Sequence, residues 1–103
     1  MSETPLPPSY DGSVVMDVGG DTGAIVVYTS EALDGVEIEI IRRGEERAFV
    51  HTEVRERQLS EGSIYAGVFP GVPAGEYALV PIESLPPTEI SVAGGHVSEI
   101  TWK

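Results

Sequence analysis

Glycine and proline interrupt this 103-residue chain so often, with 12 and 8 copies respectively, that no stretch is left for an amphipathic helix of useful length. What lies between the interruptions is short, alternating and rich in β-branched and aromatic residues, which is the pattern of strands. Ser63 to Val80, S-I-Y-A-G-V-F-P-G-V-P-A-G-E-Y-A-L-V, shows it best. Ile64, Ala66 and Val68 share one parity and Tyr65, Gly67 and Phe69 the other, so this run reads as a strand covered on both faces. Pro70 to Gly75 then contains two prolines without N–H groups and two glycines, a combination that stops a ladder and suits a reversal. The expectation is a hairpin with Glu76 to Val80.

Taken in order, Met1 to Tyr10 carries three prolines and little to bury, so residues 1–12 are expected to be a mobile, Pro-rich tail ahead of a single domain over 13–103. Pro7-Pro8-Ser9-Tyr10 matches the P-P-x-Y pattern read by WW domains, although four residues in a Pro-rich tail match often by chance. Ser13 to Val18 and Ala24 to Thr29 read as a hairpin across Gly19 to Gly23. Glu31 to Gly35 suits one helical turn. In Val36 to Ile41, Val36, Ile38 and Ile40 face in and Glu37 and Glu39 face out, so one sheet face is solvated. Arg47 to Leu59 reads as one long returning strand. Thr88 to Val92 and Val97 to Trp102 read as a closing hairpin around Ala93 to His96.

This makes about eight short strands with turn signals roughly every 8 to 14 residues, the spacing of an all-β, two-sheet antiparallel β-sandwich. Val36, Ile38, Ile40, Ile64, Ala66, Val68, Tyr77, Leu79, Ile90, Val92, Ile100 and Trp102 are the expected core.

Composition narrows function more than it names it. The chain has no cysteine, which removes disulfides, thiolate metal sites and cysteine nucleophiles. Six basic against 17 acidic residues, a formal charge of -11, argue against nucleic-acid and anionic-membrane partners, which need clustered Lys and Arg. No run of 18 apolar residues occurs, and a cytoplasmic protein is expected. The glycine loop at 19–23 lacks the Lys-Ser/Thr and following helix of a phosphate loop. Asp17 and Asp21 offer two carboxylates where calcium wants six to eight oxygens. No Gly-x-Ser-x-Gly elbow is present, and no catalytic residue, metal or cofactor is assigned.

One constellation supports a site. Five of the six basic residues, Arg42, Arg43, Arg47, Arg55 and Arg57, fall close together in an otherwise acidic chain. On a single long strand Phe49, His51, Glu53, Arg55 and Arg57 would share a face, with Arg55 and Arg57 about 6.6 Å apart, close enough to flank one carboxylate or phosphate. His51, Arg55 and Arg57 are therefore the candidate ligand-binding residues. The plainer account pairs these arginines with Glu37, Glu39 or Glu53 across strands.

The run G-V-P-A-G-E-Y-A-L-V at Gly71 to Val80, with T-E-I-S-V at Thr88 to Val92 and G-G-H-V-S-E-I at Gly94 to Ile100, resembles transthyretin-like domains, a group that includes the carboxypeptidase regulatory domain and collagen-adhesin repeats. T-G-A-I-V-V-Y-T at Thr22 to Thr29, H-T-E-V-R-E-R at His51 to Arg57 and Y-A-G-V-F-P-G at Tyr65 to Gly71 also look like a group of short actinobacterial proteins of uncharacterised function. The resemblance implies a sandwich and brings no activity with it. Adhesin-type Lys-Asn isopeptide bonds cannot form without Asn, and the chain lacks the Tyr-Arg-Gly-Ser ending of hydroxyisourate hydrolases. The functional expectation is a non-catalytic interaction or accessory module for a protein partner. The alternative is a small enzyme or ligand carrier using His51 beside an Arg55/Arg57 anion clamp.

Overall fold

The computed structural model describes residues 18–82 and 85–102, and among these it is a two-sheet sandwich. Strands β1 (Thr22–Thr29), β2 (Glu37–Arg42), β3 (Ala48–Glu53), β4 (Arg55–Leu59), β5 (Gly62–Pro73), β6 (Gly75–Leu79), β7 (Thr88–Val92) and β8 (Val97–Thr101) form two four-stranded sheets, ordered β4-β5-β1-β8 and β3-β2-β6-β7. All the strand pairs are antiparallel except β1 with β8, which runs parallel from Ala24↔Val97 to Tyr28↔Thr101. The helical turn expected near Glu31 is a 3-10 turn, Glu31–Leu33, which carries the chain from the first sheet to the second and buries Leu33. The Ser13 to Val18 strand and residues 1–12 fall largely outside the described residues. β1 has β5 on one edge and β8 on the other, so the hairpin expected between those residues and Ala24 to Thr29 finds no free edge on β1.

Three further connections differ from the sequence reading, and all for one reason: the chain crosses between sheets where local pattern suggests a simple reversal or one unbroken strand. β5 continues through Pro70 to Pro73, because a bulge opposite Ala24, between the Gly23↔Val72 and Ile25↔Phe69 pairs, takes in Pro70 and Gly71. The corner at Ala74 then passes β6 into the other sheet, so these two strands are not a hairpin. β7 and β8 likewise belong to different sheets. The long strand breaks at Val54, which is fully buried; its N–H donates to the Val36 carbonyl (2.9 Å) and its carbonyl accepts from Gly35 N–H (2.8 Å). β3 therefore ends in one sheet and β4 begins in the other.

Ile25, Val27, Ile38, Ile40, Val54, Phe69, Val72, Tyr77, Leu79, Ile90, Val92 and Trp102 fill the space between the sheets. Gly67 lies on that inner side as well, where a Cβ would press on Ile38 Cδ1 at 2.7 Å. Burial of such side chains is the main favourable contribution to folding, at roughly 25 cal/mol per Å². Of the expected core, Val36, Ile64 and Ile100 are only half-buried, and Ala66 and Val68 are buried on a different face. They group with Val26 on the side of the β4-β5-β1-β8 sheet that points away from its partner. Alternation fixes this: Val26 pairs with Val68 and Tyr28 with Ala66, while the intervening Val27↔Gly67 pair points inward.

Candidate functional site

Because β3 and β4 belong to different sheets, the structure separates the three candidate residues. His51 pairs with Glu39 in register and lies exposed on the outer face of the β3-β2-β6-β7 sheet, its Nδ1 3.5 Å from a Glu37 carboxylate oxygen. Around it the same sheet carries an Arg43–Glu89 ion pair at 3.3 Å and a Ser91 hydroxyl donating to Glu76 at 2.6 Å. This is a solvated, cross-paired face. Arg55 is also exposed and pairs with Glu53 at 3.2 Å. Such pairs contribute little in high dielectric, about 0.2 to 1 kcal/mol each. Substituting His51 or Arg43 with Ala should therefore shift stability by no more than about 0.5 kcal/mol in chemical denaturation.

Arg57 is different. It pairs with Ile64 in register, so its side chain projects onto the outward face of the β4-β5-β1-β8 sheet, beside Ala66. It is only 6% exposed, and its Nη2 donates to the Ala66 carbonyl at 3.4 Å, while Nε and Nη1 are buried with no acceptor among the described residues. Burial, and secondarily the charge on Arg55, lower its pKa from the ordinary arginine value. Arg55 and Arg57 thus stay neighbours, as the alternation required, whereas His51 is not brought to them. Among the described residues no group of three or more His, Cys, Asp or Glu side chains is placed to hold a metal ion.

A feature the sequence reading did not single out is the open side of β3. Among the described residues this strand is hydrogen-bonded to β2 on one side and to no strand on the other. Nearly all of its residues are exposed, including Phe49 at 45% and Val50 at 37%. A bulge between the Ile40↔Val50 and Ile41↔Ala48 pairs leaves Phe49 unpaired with β2. Phe49 lies against the Tyr77 ring, centroids 5.7 Å apart, and the Arg42 guanidinium lies over both rings at 5.9 and 5.6 Å. Tyr77 is itself fixed by its hydroxyl donating to the Pro73 carbonyl at 2.7 Å. Arg42, Glu45, Arg47, Ala48 and Phe49 line a hollow of about 240 Å³ beside the stack. The sequence signal was available in the Phe49-Val50 pair, but the presumed long strand hid the edge.

The architecture defines a two-sheet β-sandwich. In comparisons with known proteins no family model, curated protein or solved structure matches the chain. No described helix is long and apolar enough to cross a membrane.

Proposed function

We propose that the protein is a non-catalytic interaction or accessory module of transthyretin-like kind, acting in the cytoplasm, that binds an extended segment of a partner protein along the open edge of β3. The observation that carries this reading is the exposed Phe49-Val50 pair on an edge strand, with Phe49 held in place by Tyr77 and Arg42. Strand addition supplies affinity through main-chain hydrogen bonds and specificity through alternate side chains. The partner segment would place one apolar side chain against Phe49 and another in the hollow beside Arg42 and Arg47. An acidic chain with six basic residues supports a protein rather than a nucleic acid as partner. The enzyme alternative draws no support, since its base, His51, and its buried cation, Arg57, belong to different sheets.

The test is capture from native cell extract by immobilised wild-type and Phe49→Glu protein. A protein retained by the first and weakened roughly tenfold or more on the second, with both folded to the same melting temperature, is the expected result. Equal retention by both would refute binding at this edge.

A further inference from the structure

The arginine side chains with a polar partner among the described residues are Arg43, on Glu89, Arg55, on Glu53, and Arg57, on the Ala66 carbonyl. Arg42 and Arg47 have no carboxylate or carbonyl partner there, and both line the hollow of about 240 Å³ beside Phe49. The chain carries 17 acidic residues against six basic ones, so two unclaimed guanidiniums at one hollow run against the charge balance of the whole. The hollow lacks an anion.

We propose that this anion is the side-chain carboxylate of an Asp or Glu in the partner segment, so that the β3 edge selects an acidic extended peptide. The proposal deepens the edge-binding reading above and rests on it. Arg42 is positioned before any partner arrives, because its guanidinium lies over the Phe49 and Tyr77 rings at 5.9 and 5.6 Å and packs close enough to β6 that a Cβ at Gly75 would stand 3.4 Å from Nη2. Stacking uses the face of the guanidinium plane. The N–H groups along its edge stay free to donate, and a cation already held in place loses little further freedom on binding. Arg47, exposed just ahead of β3, supplies a second set of donors on the same hollow. The two can share one carboxylate through charge-assisted hydrogen bonds. Glu45 also lines the hollow, and two positive groups with one negative leave a single net positive charge. That suits one carboxylate. A phosphate dianion or a longer polyanion is disfavoured by Glu45 and by the formal charge of -11 on the chain as a whole. The methylene stem of the acidic side chain supplies the apolar contact on the Phe49 side of the hollow.

The test pans a random linear-peptide display library on immobilised full-length protein, then measures the enriched peptides by fluorescence anisotropy against wild type, Phe49→Glu, Arg47→Gln and the Arg42→Gln/Arg47→Gln pair. Peptides that wild type binds and Phe49→Glu does not should share an Asp or Glu at a fixed spacing from an apolar residue. Replacing that acid with its amide should weaken binding to wild type about tenfold, and binding to the Arg42→Gln/Arg47→Gln protein hardly at all. Because the amide swap leaves the protein untouched, and Arg47 is exposed, the readout survives even if losing Arg42 harms folding. Added salt should weaken the acidic peptides more than their amides. Edge-dependent peptides with no acid at a fixed position, or an acid-to-amide change without effect on wild type, would overturn the carboxylate assignment and leave edge binding standing. Peptides that bind Phe49→Glu as well as wild type would remove both.

Discussion

Trp102→Ala is expected to destabilise the domain by about 3–5 kcal/mol, the range for removing a large aromatic side chain from a closed core. Trp102 is 2% exposed and packs with the cluster between the sheets. Its indole N–H donates to the Pro86 carbonyl at 2.9 Å, and its backbone N–H donates to the Tyr28 carbonyl at 2.8 Å, extending the parallel pairing of β8 with β1. The substitution therefore opens a cavity and removes the indole hydrogen bond to Pro86 in the same step. Urea unfolding followed by far-UV circular dichroism measures the loss, and a change under about 1 kcal/mol would mean that the indole does not seal the core.

Gly23→Ala is the second large effect, of about 3 kcal/mol, and its cause is collision rather than cavity. A Cβ at this position would stand 2.5 Å from the Ala93 carbonyl oxygen, 2.7 Å from Val92 Cγ1 and 2.8 Å from the His96 carbonyl oxygen. Two of the three are backbone atoms, and the His96 carbonyl is already the acceptor of the Ala24 N–H at 3.0 Å. Making room for one methyl group displaces the 93–96 turn and with it the start of β8. Thermal unfolding should show a drop of many degrees; Gly44→Ala, at a turn where nothing lies within 4 Å, provides the control for backbone conformation alone, since Gly44 has a positive φ of 87°.

The strands themselves were legible because alternation and β-branching act locally: the positions of β2, β6, β7 and β8 follow from V-E-I-E-I-I, E-Y-A-L-V, T-E-I-S-V and V-S-E-I-T-W to within a residue at each end. Sheet membership was not, because a corner that reverses a chain and a corner that passes it to the opposite sheet use the same Gly and Pro residues. Val54 shows the cost. H-T-E-V-R-E-R contains no Gly or Pro to interrupt a strand, and only the isolated Val in a charged run hints that this residue is buried where the chain changes sheet. That one crossing parts His51 from Arg57. The nearness of Arg55 to Arg57, by contrast, needed only period two within a single strand, and it survives. Burial of Arg57 was beyond the local pattern, since an exposed and a buried arginine on an alternating strand have the same spacing.

The parallel contact between β1 and β8 also dictates a schedule. β1 is the first described strand and β8 the last, and the sheet that holds them remains open along one side of its central strand until both exist. During synthesis from the N-terminus, β1 can gain β5 before its other partner among the described strands, β8, exists to pair with Ala24 to Tyr28. Such an edge is a template for pairing with a neighbouring nascent chain. Folding should therefore depend on how soon β8 follows β5 in becoming available to β1, and holdase chaperones would act on this protein chiefly in that interval.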